Sequence, residues 1–182
     1  LSLYDSYPNY FNKLNLNIPE SNNKIPDILD EILWNLRWML TMQDPYDGGV
    51  YFKLTNTHFD GMIMPSEAKN KRYVIQKTTS STLNFAAIMA QASRIFRKFE
   101  KILPGLADSC IKASLKAWEW ANNNPNVLYN QSKLNEQFDP DIFTGGYEDY
   151  NLTDEFLWAA IEIMISTKNF KILPPENINV LK

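Results

Sequence analysis

The feature that most constrains this chain is the three- and four-residue spacing of its apolar side chains. Ile28, Leu29, Ile32, Leu33, Leu36, Met39 and Leu40 fall on one broad helical face. That spacing predicts an amphipathic helix over about 26–43, packed against a core. Pro26 suits a first helical position, where a missing N–H costs nothing, and Asp27, Asp30 and Glu31 sit where the helix dipole favours them. Asp44-Pro45 and Gly48-Gly49 stop it. A second helix is predicted over about 81–101, with Thr79, Ser80 and Ser81 as candidate caps. Its Ala86, Ala87, Ala90 and Ala92 allow close helix approach. Pro104-Gly105 separates it from a third helix over about 106–122. A fourth starts near Thr153, a candidate cap, and runs to about Thr167 with Asp154 and Glu155 in its first turn.

The intervening segments are long and polar. Residues 1–14 read as the end of a helix followed by a turn, and 15–24 as an Asn-rich loop. Residues 50–77 are irregular; 50–54 and 72–75 read equally as short strands or as extended loop. A loop this long in a compact domain is usually functional. Residues 125–150 read as loop with a helical turn around 132–137. Pro174-Pro175 marks 171–182 as a terminal tail or truncated continuation, leaving 1–170 as the body of the domain. With only 6 glycines and no internal repeat, the expected fold is all-α: antiparallel helical hairpins joined by long loops.

Charge and rare residues exclude several functions. A net charge of −3 gives no electrostatic reason to bind nucleic acid or an anionic membrane. No apolar run is long enough to cross a bilayer. One cysteine rules out an internal disulfide framework and a cysteine-based zinc site, and one histidine rules out a multi-histidine metal centre. The first residues carry neither Met nor a signal-like stretch, which processing, a domain boundary or a truncated reading frame would each explain. The 5 Trp and 9 Tyr suit either a core or a sugar site.

Few residues stand out as chemical. His58 lacks a paired nucleophile motif and reads as a surface histidine rather than a general base. Cys110 reads as a small buried residue of an amphipathic helix. Gly48-Gly49-Val50-Tyr51 and Thr144-Gly145-Gly146-Tyr147 each set a tyrosine beside a glycine turn, to face a ligand or to pack over a helix end. Asp154 and Glu155 supply hard oxygen ligands suited to calcium, although dipole complementation also accounts for them. As neighbours on a helix they point apart and do not make a matched acid and base. No complete catalytic constellation emerges.

The order of motifs adds a resemblance. Ile25-Pro26-Asp27-Ile28-Leu29-Asp30-Glu31, Trp34-Asn35-Leu36-Arg37-Trp38-Met39-Leu40 and Met42-Gln43-Asp44 precede Gly48-Gly49-Val50-Tyr51-Phe52-Lys53-Leu54-Thr55. Ser80-Ser81-Thr82-Leu83-Asn84-Phe85-Ala86-Ala87, Ala90-Gln91-Ala92-Ser93-Arg94-Ile95-Phe96 and Ala117-Trp118-Glu119-Trp120-Ala121 follow. Asp154-Glu155-Phe156-Leu157-Trp158-Ala159-Ala160 closes the set. In this order they resemble glycoside hydrolase family 9, the endoglucanases and related cellulases, over most of 1–170. The likeness is to members with an immunoglobulin-like module ahead of the catalytic domain.

The resemblance implies part of an (α/α)6 toroid and an inverting hydrolysis of β-1,4-glucan, outside the cell or in the periplasm. It implies no cofactor for the chemistry. The family's water-activating Asp-Ala-Gly-Asp motif and its acid glutamate are absent from these residues. The chain alone is therefore expected to be inactive and to expose apolar faces meant for missing neighbours. Tyr51, Phe52 and Tyr147 are implied substrate contacts; Phe52 stands where many members have histidine, leaving aromatic stacking as its expected role. Asp154 and Glu155 match a calcium-ligand pair whose remaining acidic ligand lies outside the chain. The alternative from a different class is a non-catalytic helical module that binds glycan or protein.

Overall fold

The computed structural model describes residues 1–172. Its centre is α4 (Thr79–Phe96), a helix buried along most of its circumference, with Ser81, Asn84 and Ile88 on a partly exposed face. Leu83, Ala86, Ala87, Met89, Ala90, Ala92, Ile95 and Phe96 are fully inaccessible. So wide an apolar face must be enclosed by other elements. The enclosing helices are α3 (Asp27–Thr41), α5 (Leu106–Asn123) and α7 (Thr153–Thr167). At the N-terminus, α1 (Ser2–Ser6) and α2 (Pro8–Phe11) replace the expected single helix end, and Tyr4 of α1 is buried. A short α6 (Gln131–Gln137) lies within the expected loop.

Small side chains set how closely α4 approaches its neighbours. Ser114 of α5 donates a 2.6 Å hydrogen bond to the Ala86 carbonyl. Ser166 of α7 donates to the Ala90 carbonyl at 2.8 Å. Arg94, late in α4, pairs with Glu162, late in α7, at 2.6 Å and with Asp5 at 2.8 Å. The ring of Phe156, early in α7, packs 5.9 Å from that of Trp118, late in an α5 that runs antiparallel to α4. Hence α4 and α7 run parallel, and the long segments that precede them, 42–78 and 124–152, meet at one end of the helix pair. Thr79 ties the two together: its N–H donates to Val127 O at 2.9 Å and its Oγ1 to Asn124 O at 2.5 Å.

Local details differ from the sequence pattern for identifiable reasons. The cap of α4 is Thr78, whose Oγ1 accepts from Ser81 N at 3.2 Å. Thr79, Ser80 and Ser81, the expected caps, are already helical. After Phe96 the helix tightens into a 3-10 turn, Arg97–Phe99, short of the expected end. At α7 the carboxamide oxygen of Asn151 accepts from Thr153 N at 3.3 Å, so Thr153 is the first helical residue rather than the cap. Between 50 and 77 a single antiparallel ladder forms from β1 (Leu54–Thr55) and β2 (Tyr73–Val74), with Leu54 opposite Val74. The remainder of that segment is loop, with a 3-10 turn at Pro65–Glu67 and an isolated antiparallel bridge between Tyr51 and Lys77, so each of the two readings holds in part.

Cys110 is fully buried and burial pushes its thiol up to about 11. Its alkylation by iodoacetamide at neutral pH is expected to run at least about a hundredfold slower in the folded protein than in denaturant, the factor given by about 3 kcal/mol of opening free energy. Equal rates in the two states would contradict the buried placement.

Among the described residues, α3 and α7 keep apolar faces open. On α3, Trp34 is 83% and Trp38 47% exposed. On α7, Leu157, Trp158, Ile161 and Ile165 form an exposed stripe at helical spacing. Among the described residues no helix is long and apolar enough to cross a membrane.

Candidate functional site

The glycine turn after α3 is held by its surroundings as much as by its own bonds. Asp44 N donates to Gly49 O at 2.8 Å and Gly48 N to Asp44 O at 2.9 Å, closing the turn. Gly48 has φ +87°, a left-handed conformation, and lies flat against the Lys116 carbonyl. Gly49 lies flat against the Trp120 indole. Asp47 accepts from Gly49 N at 3.0 Å and from Trp120 Nε1 at 3.2 Å.

Lys77 joins the two acids of this turn. Its ammonium pairs with Asp44 at 2.6 Å and Asp47 at 2.8 Å, and sits over the Tyr51 ring at 5.4 Å. The Tyr51 hydroxyl donates to Asp44 Oδ2 at 3.2 Å. Burial works against the Lys77 charge, but the hydrogen bonds and charges of Asp44 and Asp47 outweigh it and hold the ammonium above its usual range. The Lys77 hydrogen bond holds Asp44 below the carboxylate range. Burial raises Asp47, yet Lys77 and Gly49 N leave it below as well. Tyr51 is thus oriented by an ionised cluster that does not titrate near neutral pH.

Tyr51 and Phe52 line a common groove of about 200 Å³ with Trp38, Asn84, Phe85 and Ile88. One face of Phe52 is stacked on Tyr129, with centroids 4.0 Å apart and planes 19° apart. Tyr129 is 1% exposed, and burial pushes its hydroxyl up to about 12. Phe52 therefore has its other face and its edge to offer.

Tyr147 stands on the neighbouring loop and is 78% exposed. It does not line that groove, but its loop is anchored to the segment that follows Phe52. Lys53 Nζ donates to Gly145 O at 2.7 Å, to Thr144 O, and to Gln131 Oε1 at 3.3 Å. Thr55 and Thr144 share a 2.6 Å hydroxyl contact, and Phe143 N donates to Thr57 O at 2.7 Å. His58 is a surface residue with its ring 4.7 Å from Phe143 and 3.3 Å from the Thr57 hydroxyl.

Asp154 and Glu155 lie in the first turn of α7 as expected. Asp154 is exposed; Glu155 is half-buried, and its Oε2 is buried without a hydrogen-bond partner. Burial, reinforced by the charges of Asp154 and Asp149, pushes the Glu155 carboxyl up to about 7. Among the described residues no three His, Cys, Asp or Glu side chains are gathered to hold a metal ion.

The roles of Lys77, Asp44, Asp47, Lys53 and Tyr129 escape the sequence pattern. Apart from the bonds within the glycine turn and the Asp44–Tyr51 bond, they act across 26 to 92 residues of chain through isolated polar contacts and one ring stack, which leave no periodic trace. The only local signal is the Asp44–Asp47 flank of the glycines, which reads as helix-stop chemistry.

A family model described as Glycosyl hydrolase family 9 matches residues 1–174. A xyloglucan-specific endo-beta-1,4-glucanase of Bacteroides ovatus is 49% identical over 166 residues, covering 91% of this chain and 28% of that protein. Endoglucanase D of Acetivibrio thermocellus is 39% identical over 150 residues, covering 81% of this chain and 22% of its own length. A solved Bacteroides ovatus GH9 structure superposes with a TM-score of 0.90 at 49% identity, over 92% of this chain and 31% of that one. The chain thus spans less than a third of the length of these relatives.

Proposed function

The chain belongs to glycosyl hydrolase family 9, and on that membership we propose that it forms part of the catalytic domain of an inverting β-1,4-glucan hydrolase. The proposed substrate is cellulose or a related polysaccharide, such as the xyloglucan for which the Bacteroides relative is named. The observation that carries this reading is the meeting, at the N-terminal end of parallel α4 and α7, of the Tyr51–Phe52 groove and the Tyr147 loop. Aromatic faces at a groove suit the C–H faces of successive pyranose rings.

In this reading the helices belong to an (α/α)6 toroid, residues 1–170 to its catalytic domain, and 171–182 to its continuation; the tail from residue 173 lies outside the described residues. Trp34 on α3 and the open stripe on α7 then pack against further helices of the toroid, while Trp38 stays a wall of the groove. An immunoglobulin-like module precedes it, and the protein works outside the cell or in the periplasm. Inversion requires one carboxylate to activate water and another to protonate the leaving oxygen, about 6.5–9.5 Å apart. Both belong to parts of the protein outside these residues. This chain's contribution is to bind and orient sugar: Asp44 and Lys77 fix Tyr51, Tyr129 backs Phe52, and Lys53 holds the Tyr147 loop against them.

The full-length protein is expected to release reducing ends from cellulose or xyloglucan. Absence of turnover on every β-glucan tested, with retention in glucan affinity gels, would instead favour the non-catalytic binding module.

Asp154 and Glu155 fit a calcium ion in chemical type. The unpartnered Glu155 Oε2 is a hard donor, and a cation would relieve its repulsion with Asp154 and Asp149. The ion's contribution would be structural, neutralising these acids at the start of α7. Calcium is expected to raise the melting temperature of the full-length protein, and the gain to vanish in Glu155→Gln and Asp154→Asn. Binding must displace the Glu155 proton, so the gain should be smaller at pH 5.5 than at pH 8. Without metal the sign reverses. The folded state keeps this proton up to about 7, against 4.5 ordinarily. Metal-free stability therefore falls as pH rises between those values. Thermal scans with calcium or chelator at the two pH values check both statements.

A further inference from the structure

We propose that the pocket between β2 and α6 receives a sugar branch of the substrate, so that this end of the molecule selects decorated over unbranched β-1,4-glucan. The inference rests on the reading above, in which the Tyr51–Phe52 groove holds the main chain.

The pocket has a volume of about 320 Å³, at the lower end of the range for small-ligand sites and too small for a polymer to thread. Tyr73 and Phe138 bring rings to it, and Gln76 and Asp139 bring polar groups. Phe138 is 66% exposed, so a large apolar ring stands open at the pocket's wall. A ring face with a few hydrogen-bonding groups at its edge is the complement of a pyranose, whose C–H faces are apolar and whose rim is hydroxylated. The Gln76 carboxamide nitrogen is engaged with Leu128 O at 3.1 Å, which leaves its carbonyl oxygen for a ligand hydroxyl.

The walls are held in place without a ligand. Asn135 donates to Ile142 O and accepts from Ile142 N, both at 3.0 Å. Gln131 Nε2 donates to Asn135 Oδ1 at 2.7 Å. The Gln131 and Asn135 side chains that shape the pocket are thus already tied down, and binding need not reorganise them.

Position argues for a branch rather than an unrelated ligand. The pocket floor includes Ile75 and Ile142, which with Tyr129 form a small separate core, and Phe52 packs on that same core. The pocket and the Tyr51–Phe52 groove are therefore built around one shared wall. Gln131 lines the pocket and also accepts from Lys53, which carries the Tyr147 loop. A main chain lying along Tyr51 and Phe52 toward Tyr147 would pass beside the pocket, within reach of a single-sugar branch.

The test uses the full-length protein and two soluble glucans, branched xyloglucan and unbranched mixed-linkage glucan. Affinity electrophoresis reads binding and reducing-end release reads hydrolysis. Phe138→Ala and Tyr73→Ala are expected to weaken retention by xyloglucan about tenfold while altering retention by the unbranched glucan less than about twofold. The xyloglucan preference in kcat/KM should fall in parallel. Equal losses on both glucans, no loss on xyloglucan, or no retention of the parent protein by xyloglucan would overturn the proposal. Failure of the wider reading looks different: retention without hydrolysis of either glucan.

Discussion

Expressed alone, the 182-residue chain is expected to release no measurable reducing ends from cellulose, xyloglucan or mixed-linkage glucan, while the full-length protein hydrolyses at least one of them. General acid and general base catalysis each contribute about 10²–10⁴-fold, so losing both should cost at least about 10⁴-fold in kcat/KM. On the proposed division of labour, neither the acids beside the groove nor Glu155 takes either role. Asp44 and Asp47 share the Lys77 ammonium and are held below the usual carboxylate range, so neither carries a proton to give. Glu155 does hold its proton up to about 7, the property sought in a general acid. Its nearest acid, however, is the adjacent Asp154 on the same helix turn, and the pair cannot flank a glycosidic bond with room for water. A reducing-sugar assay on equimolar chain and full-length protein checks the statement. Turnover by the chain within tenfold of the full-length protein would place the catalytic pair inside these residues and overturn the proposed division of labour.

The same contrast explains what the sequence could and could not reveal. The periodic positions of α3, α4, α5 and α7 are legible because burial of a helix face is written every three or four residues: Leu29, Leu33 and Leu36 in α3, and Phe156, Ala159 and Ile163 in α7. Cap identities are less legible, since any of four consecutive hydroxyl residues from Thr78 to Ser81 has the right chemistry. The choice falls to Thr78 because Thr79 is spent on Asn124 and Val127, 45 and 48 residues away. Tyr51 and Phe52 can be singled out from the glycine turn beside them. Their partners cannot, because Tyr129 and Lys77 carry no local sign that they will meet those rings. Tyr147 is legible only as a tyrosine beside glycine; that Lys53 ties its loop to the groove follows from the fold alone. The pocket under α6 is illegible for the same reason. Tyr73 and Phe138 are separated by a helical hairpin, and only the return of the chain through 124–142 brings them together.

The second large effect concerns the glycine turn, where fold and site coincide. Gly48→Ala and Gly49→Ala are expected to destabilise the protein by about 2–5 and about 1–3 kcal/mol respectively, and Gly105→Ala by only about 1–2 kcal/mol. All three comparisons isolate different causes. Gly105 has φ +76° but open space around it, so alanine there meets backbone strain alone. Gly48 has φ +87° and a Cβ built on it would lie 2.8 Å from the Lys116 carbonyl oxygen, which is backbone and cannot swing aside. Strain and overlap therefore add. Gly49 needs no left-handed backbone, but its Cβ would lie 2.6 Å from the Trp120 ring and 2.9 Å from the Lys77 side chain. Relieving that overlap moves the two groups that hold Asp47 and Asp44, and through Asp44 the Tyr51 hydroxyl. Gly49→Ala should accordingly raise KM for glucan more than Gly105→Ala does, although neither residue touches substrate. Denaturant melts of the full-length protein give the stability order and substrate titrations give the KM order. A Gly48→Ala protein no less stable than Gly105→Ala would mean that the turn does not press on α5, and a Gly49→Ala protein with unchanged KM would uncouple Trp120 and Lys77 from the placement of Tyr51.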